Sequence, residues 1–209
     1  MSNLAYEYQE DSYPKDSCSE DSFVDEFKEE MLDGKIYFMA PPLINHSLIA
    51  SRLFASFFNY LKGKKCQAFF EAGYVKFSKK DKVQPDIMVV CNPDIIKKDG
   101  IYGSPDLIIE VLSPSTAKRD RITKKNLYEK HGVGEYWLVD PRSFSIEVYL
   151  LKKRKYVLIE VYTWASDELM TNGSDDDKAA IQHEVSPALF PDLVIKMEDI
   201  FGGWLVDTN

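Results

Sequence analysis

The sequence predicts a single α/β domain with a mixed β-sheet. Its 209 residues are 44% hydrophobic, which suffices for one core without disulfide or metal staples. Residues 106–139 have the pattern strand, helix, strand, which is the length of a right-handed parallel crossover. Residues 144–151 and 155–164 are typical of an antiparallel hairpin. Parallel and antiparallel strands are therefore expected in one sheet.

Hydrophobic spacing predicts the remaining elements in order along the chain. The segment Lys35–Ala40 indicates a short strand that stops at Pro41. Apolar residues at helical spacing then predict a helix over 46–62, with Asn45 as its cap. A second helix over 116–131 is expected to end at Gly132. The predicted strands after the first helix are 67–77, 86–91, 106–112, 135–139, 144–151 and 155–164.

The negative charge of the chain is concentrated in two segments. Residues 1–30 contain ten acidic side chains and two lysines, which equals the whole net charge of −8. Residues 166–178 contribute −4, so +4 is left for the rest. We expect 1–30 to be largely flexible and 166–178 to be a flexible acidic loop within a domain spanning 31–209. The basic clusters 62–65, 118–125 and 152–155 suit either nucleic acid or an ordinary solvated surface.

The cysteines and the hydropathy indicate a cytoplasmic protein. Cys18, Cys66 and Cys91 are odd in number and lack paired metal spacing, which predicts reduced thiols and no structural zinc. There is no apolar run of about 18 residues and no basic region leading into an apolar one. Neither a membrane span nor a signal peptide is expected.

Glu110 is the one acidic residue inside the apolar run LIIEVL. A carboxylate taken out of water costs several kcal/mol, so it needs a cation, a metal ion or a proton. Asp86 starts the strand 86–91 and would approach Glu110 if the two strands are neighbours. Two carboxylates suit Mg²⁺. An internal ion pair of Glu110 with Lys124 or Arg121 is the alternative that needs no metal.

Several motifs together resemble the Uma-type endonuclease family, a restriction-endonuclease-like branch of the PD-(D/E)xK phosphodiesterases. They are Pro85-Asp86, Glu110-Val111-Leu112, and SPST-x3-D-x3-K-x3-Y-x3-GV-x-EYW-x-VDP from Ser113 to Pro141. The resemblance extends from Asp33 to Phe201. It implies a restriction-endonuclease-like fold, with a mixed sheet flanked by helices, and cleavage of nucleic-acid phosphodiesters with Mg²⁺ or Mn²⁺.

The chain departs from the superfamily at the usual lysine. That residue would follow the acid by two positions on the same strand, where this chain has Leu112. Asp120, Lys124 and Tyr128 share one face of the predicted helix at i, i+4 and i+8. Lys124 can supply the missing ammonium from there, and the family pattern marks the same residue. An Asp120–Lys124 surface pair is the alternative.

The resemblance and the spacing together assign roles to these residues. Asp86, Glu110 and the main-chain carbonyl of Val111 would bind the metal, and Lys124 would hold or help deprotonate the attacking water. The predicted phosphate contacts are Lys118, Arg119, Arg121 and Lys125, and the accessory candidates are His46, Glu71, Asp120 and Tyr128.

The sequence thus predicts a Mg²⁺-dependent endonuclease with DNA as the expected substrate. The alternative is a non-catalytic nucleic-acid-binding or assembly module that keeps the fold, which the displaced lysine and the acidic net charge favour. DNA versus RNA, and a homodimer that would cut both strands, are left open. A serine hydrolase is disfavoured because the G-x-S-x-G motif is absent.

Overall fold

The computed structural model describes residues 28–71, 73–164, 174 and 183–203. The first half contains β1 Glu29–Leu32, β2 Lys35–Phe38, α1 Ile44–Leu61, β3 Gln67–Phe70, β4 Tyr74–Lys76, β5 Lys82–Val83, β6 Ile87–Val90, a 3₁₀ turn Pro93–Ile95, β7 Ile96–Lys97 and β8 Gly100–Ile101. The second half contains β9 Leu107–Val111, a π-helical segment Arg119–Lys124, α2 Lys125–His131, β10 Glu135–Asp140, β11 Ser145–Lys152, β12 Lys155–Thr163, β13 Glu184–Val185, β14 Ile195–Lys196 and α3 Met197–Phe201.

Two six-stranded sheets contain most of these strands. The central sheet has the order β12-β11-β10-β9-β6-β3, and the second sheet has the order β2-β1-β5-β4-β8-β7. Within the central sheet, β9 and β10 are parallel and the other neighbours are antiparallel. The mixed sheet, the parallel crossover and the hairpin of β11 and β12 are therefore confirmed.

The inner strands β6, β9 and β10 of the central sheet are buried on both faces, whereas β12 at its edge is largely exposed. On one face, α1 and α3 pack against alternate residues such as Ile87 and Ile109. On the other face, α2 and the second sheet cover the intervening residues, such as Met88 and Ile108. All five residues of β9 are buried, which explains why its sequence is almost continuously apolar.

Two predicted boundaries were wrong. The strand predicted over 67–77 is interrupted by Glu71 and Gly73, whose φ values of +43° and +63° turn the chain from the central sheet into the second sheet. Helix α1 begins at Ile44 with Leu43 as its N-cap, so Asn45 lies inside the helix. The helix predicted over 116–131 is confirmed to within one residue, because it starts at Ala117, contains the π-helical segment and ends at Gly132 in the left-handed conformation as expected.

The folded domain begins earlier than residue 31. Glu29 and Glu30 belong to β1, which pairs with β2 across the Asp33-Gly34 turn. Residues 1–27 and most of the predicted acidic loop 166–178 lie outside the described residues. Among the residues that are described, no helix is long and apolar enough to cross a membrane.

The prediction of reduced cysteines was wrong for two of the three. Cys66 and Cys91 form a disulfide, because the antiparallel register of β3 and β6 brings them opposite each other one position beyond the Gln67–Val90 pair. Cys18 lies outside the described residues. Disulfides are uncommon in the reducing cytoplasm, so the cytoplasmic location remains a prediction.

Breaking this disulfide is expected to lower the free energy of unfolding. The two cysteines are 25 residues apart, and closing a loop of that size stabilises a folded chain by about 3 kcal/mol through the unfolded state. Urea unfolding of the wild type with and without reductant, beside Cys66→Ala/Cys91→Ala, measures the effect. The reduced wild type and the double variant should agree; equal stability of the oxidised and reduced wild type would contradict the bond.

Candidate active site

Asp86 and Glu110 lie opposite each other on neighbouring strands of the central sheet. β6 and β9 are antiparallel with Ile87 opposite Ile109, and one further step in that register joins Asp86 to Glu110. The N–H of Val111 donates to Asp86 Oδ2 at 2.7 Å. Alternation along both strands turns the two carboxylates toward the α2 face of the sheet. The structure therefore brings together the two acids that the sequence singled out.

Lys124 places a buried ammonium among three carboxylates. Its Nζ lies 2.8 Å from Glu30 Oε1, 3.1 Å from Glu110 Oε1 and 3.5 Å from Asp120 Oδ1. The Lys124 side chain is 3% exposed, so this is an interior cluster and not the alternative surface pair. The ammonium thus reaches the carboxylate of Glu110 from the π-helical segment, and not from position 112 of the strand.

Each of the two strand carboxylates uses one oxygen for its protein partners. Lys124 Nζ and the hydroxyl of Tyr128 both donate to Glu110 Oε1, at 3.1 and 2.6 Å. His46 Nε2 and the N–H of Val111 both contact Asp86 Oδ2, at 3.1 and 2.7 Å. Glu110 Oε2 and Asp86 Oδ1 take part in none of these four contacts. Both acids can therefore offer an oxygen to a further ligand.

Apart from Tyr128, these groups line a cavity of about 570 Å³ between α1 and the π-helical segment. The acidic floor is formed by Asp86, Glu110 and Asp120, and one wall is formed by the apolar segment 39–43. The 113–116 segment of the SPST motif forms another part of the wall. The cavity is large enough to admit a phosphate group together with part of its nucleotide.

The pKa of Lys124 decides what its amine can do. Burial by itself would lower that pKa, but the carboxylates of Glu110, Glu30 and Asp120 outweigh burial and raise it well above the ordinary value. Lys124 is therefore an ammonium at neutral pH. It can stabilise negative charge on a phosphate, whereas the predicted role in deprotonating water is disfavoured.

The pKa of Glu110 reports an excess of negative charge in the cluster. Burial raises it well above the ordinary value, Lys124 opposes that shift, and Asp86, Asp120 and Glu30 reinforce it. Burial likewise raises the pKa of Asp120. The pKa of Glu110 and of Asp120 is raised although Lys124 lies within 3.5 Å of both and Arg119 lies 3.9 Å from Glu30, so a proton or a further cation would relieve the site.

The donor set fits a hard divalent cation. Two carboxylates and the main-chain carbonyl of Val111 would offer oxygen atoms, and Mg²⁺ commonly keeps several waters beside one or two carboxylates. Asp120 Oδ1 and Glu30 Oε2 are buried without a hydrogen bond, and their nearest cations are Lys124 Nζ at 3.5 Å and Arg119 Nε at 3.9 Å. No group of three or more His, Cys, Asp or Glu side chains in the described ranges forms a ready metal site, so waters and substrate would complete the coordination.

Glu30 is the residue of this site that the sequence reasoning missed. It was assigned to the flexible acidic segment, yet its side chain is fully buried and its Oε1 also accepts the N–H of Gln84 at 3.0 Å. A signal was present, because Asp33-Gly34 between EEML and KIYF is a typical two-residue hairpin turn. That hairpin would have placed Glu30 in a strand.

Glu30→Gln is expected to loosen the position of Lys124. Glutamine keeps the volume and one acceptor but loses the charge that lies closest to the ammonium, so we expect the free energy of unfolding to fall by about 1–3 kcal/mol. Chemical unfolding in urea measures this. Glu29→Gln, on the same strand and half-buried, is the matched control; an equal loss in both variants would remove the special role of Glu30.

The four side chains predicted to contact phosphates differ in exposure and in whether a protein group already engages their charge. Lys118 is exposed. Arg119 lines the cavity, with its Nε 3.9 Å from Glu30 Oε2. Arg121 is paired with Asp140 and Glu147 in place of the Glu110 pair considered from the sequence, and Lys125 lies 3.9 Å from the ring centre of Tyr149. Lys118 and Arg119 are thus the better placed of the four.

Of the remaining candidates, some line the cavity and one bonds only to the backbone. His46 comes from the first turn of α1, and Glu71 from the break after β3; both line the cavity. Burial opposes a charge on His46, but its contact with Asp86 raises the pKa of the imidazole overall. Asp106, of the second Pro-Asp pair, accepts the N–H of Cys91 at 2.7 Å and supports the backbone only.

Known proteins share both the sequence pattern and the fold. The Uma2 family, described as "Putative restriction endonuclease", matches residues 18–176. An uncharacterized protein of Synechocystis sp. is 36% identical over 124 residues, which are 58% of this chain and 65% of that protein. The chain thus spans slightly less than two thirds of the length of this relative.

A solved structure shows the likeness of fold. It is described as "a putative nuclease belonging to DUF820" from Anabaena variabilis, and it matches with a TM-score of 0.63 and 23% identity. The match covers 83% of this chain and 89% of the other. The predicted fold class is therefore confirmed, and since the family pattern covers well over half of the sequence, the chain belongs to the Uma2 family, as its motifs predicted.

Proposed function

We propose that this protein is a Mg²⁺- or Mn²⁺-dependent endonuclease that hydrolyses phosphodiester bonds of a nucleic acid, with DNA as the expected substrate. Its membership of a family described as "Putative restriction endonuclease" and its nuclease-like fold support a nuclease-type function. The observation that carries the proposal is the pairing of Asp86 and Glu110 on adjacent strands beside the buried Lys124.

Each residue has a distinct task in this proposal. Asp86, Glu110 and the carbonyl of Val111 would hold the divalent cation, which lowers the pKa of a coordinated water and neutralises charge on the phosphate when it is bound. The ammonium of Lys124 stabilises the extra negative charge that develops on the phosphate in the transition state. Tyr128 and Glu30 hold Glu110 and Lys124 in position through the contacts described above.

The test is nicking and linearisation of a supercoiled plasmid, with Mg²⁺ or Mn²⁺ and with EDTA. Asp86→Asn should abolish the cleavage. The matched control is Asp106→Asn, the same substitution in the other Pro-Asp pair, which should leave cleavage intact because Asn still accepts the N–H of Cys91. Cleavage that survives Asp86→Asn, or that EDTA leaves unchanged, would rule out the proposed mechanism.

A non-catalytic nucleic-acid-binding module is the second candidate. It is favoured by the closed contacts of Lys124, whose charge is already shared among three carboxylates. In that case Mg²⁺ would not raise the unfolding temperature, and binding to a duplex would be the same with and without EDTA. The endonuclease proposal expects Mg²⁺ to raise the unfolding temperature of the wild type and to leave that of Asp86→Asn unchanged.

A further inference from the structure

The turn between β11 and β12 is a basic hairpin tip, Lys152-Lys153-Arg154-Lys155. In the register of the two strands, Lys152 is opposite Lys155, so Lys153 and Arg154 are the two central residues of the turn. Their φ values are +50° and +66°. Such left-handed backbone at both central positions is favoured by Asn-Gly or Asp-Gly and is unfavourable for longer side chains.

The same chain contains a hairpin with the usual choice of residues. Between β1 and β2, Asp33 and Gly34 occupy the two central positions with φ values of +50° and +76°. The two turns have nearly the same backbone at these positions, yet only the β11–β12 turn carries two cationic side chains there. Local conformation alone does not explain Lys153 and Arg154, so a function of their charge is indicated.

The hairpin tip borders a cavity of about 710 Å³ at the C-terminal end of α2. Lys130, Arg154 and Lys155 supply positive charge to its lining, and Glu129 is the acidic member. The carboxylate of Glu129 is already engaged by Lys155 Nζ and by the N–H of Tyr156, both at 2.7 Å. Within the described part of the chain, Arg154 forms no ion pair. Lys130 Nζ lies 3.5 Å from Asp81 Oδ2, so Lys130 and Lys155 are both paired, and the guanidinium of Arg154 is the charge that these described residues leave for an anionic ligand.

Helix α2 connects this cavity to the candidate active site. Lys124, which contacts Glu110, directly precedes α2, and His131 at its last position lines the basic cavity. Seven helical residues span roughly 10 Å at about 1.5 Å each. At roughly 3.4 Å per step, the length of α2 thus corresponds to about three nucleotides of one strand.

We propose that the hairpin tip and the cavity at the end of α2 form a second binding site for the phosphate backbone of the nucleic acid that is cleaved at Asp86 and Glu110. The inference rests on the proposed nuclease function, because it names the same substrate. The contact is electrostatic and directed at phosphates, so it adds affinity without reading the base sequence.

The test replaces the tip by the turn that its backbone prefers, Lys153→Asn/Arg154→Gly. Binding of a fluorescent DNA duplex, and separately of an RNA duplex, is measured by anisotropy in EDTA over a range of salt. We expect about tenfold weaker binding. The slope of the logarithm of the binding constant against the logarithm of the salt concentration should become less steep by about two, at roughly 0.9 per lost phosphate contact. The unfolding temperature should rise, because the turn is relieved.

The matched control is Lys97→Asn/Lys98→Asn, which removes two exposed charges from the second sheet. Unchanged binding by the tip variant, equal weakening by the control, or a wild type that binds neither duplex would overturn the proposal. Binding in EDTA does not depend on cleavage, so the two proposals can fail separately. If the wild type does not cleave but the tip variant still binds more weakly than the wild type, the nuclease proposal is refuted and the phosphate site is not.

Discussion

Glu110→Gln is expected to abolish metal-dependent cleavage and, at the same time, to stabilise the metal-free protein at neutral pH. The carboxylate is 3% exposed, and its pKa is raised by burial and by the neighbouring acids. Glutamine is nearly isosteric and can still accept from the hydroxyl of Tyr128, but it removes one of the three negative charges around Lys124. We expect a gain of about 1–3 kcal/mol, the usual scale for a buried polar group that is incompletely compensated.

The pH dependence has a definite sign. Because the folded pKa of Glu110 lies above the unfolded value, the folded protein binds a proton in a range where the unfolded chain has released it. The stability of the wild type therefore falls as the pH rises above the ordinary glutamate pKa of about 4.3 and through the raised folded pKa. Glu110→Gln should remove this fall.

Urea unfolding in EDTA at about pH 5 and about pH 8 measures both effects. Glu129→Gln is a control of opposite sign, since the pKa of Glu129 is lowered by Lys155 and by the N–H of Tyr156, and its charge helps the folded state at the higher pH. A Glu110→Gln variant that is less stable than the wild type at neutral pH would contradict an excess of negative charge around Lys124. Retained cleavage would exclude Glu110 as a metal ligand.

Regular hydrophobic patterns made the central sheet predictable. The run around Glu110, the helix that follows it and the hairpin of β11 and β12 each have a clear period, and connection length then determined their parallel or antiparallel pairing. The second sheet was not predicted, because several of its strands have only two or three residues. Segments this short carry no periodicity.

Contacts between distant segments were harder to predict than contacts within one motif. Lys124 and Tyr128 were expected near Glu110 because the helix directly follows the strand, and the structure places them there. The Cys66–Cys91 disulfide depends on strands that pair across a long connection, so no local spacing indicates it. The Asp33-Gly34 turn indicates a strand for Glu30, but not that this strand packs against Lys124. The catalytic roles themselves remain predictions.

Lys124→Met should be the most destabilising substitution in the site. It leaves Glu30, Glu110 and Asp120 buried around an apolar side chain, and removal of one partner from a buried ionic cluster costs about 3–5 kcal/mol. Methionine fills a similar volume, so the loss reflects charge more than packing. Lys125→Met is the control, because that ammonium lies over the ring of Tyr149 and outside the carboxylate cluster, and its loss should cost about 1 kcal/mol or less.

The pH dependence of this variant distinguishes charge from packing. Without the ammonium, the pKa of Glu110 and Asp120 should rise further, because Lys124 is the group that opposes their upward shifts. The destabilisation by Lys124→Met should therefore grow as the pH increases from about 5 to about 8. A packing defect would cost the same free energy of unfolding at both pH values.

Adding Glu110→Gln to Lys124→Met should restore part of the stability. A double-mutant cycle measures that coupling, which we expect to reach about 1–3 kcal/mol. Strict additivity of the two substitutions would mean that the ammonium and the carboxylate do not interact, and the electrostatic role of Lys124 at the phosphate would lose its physical basis.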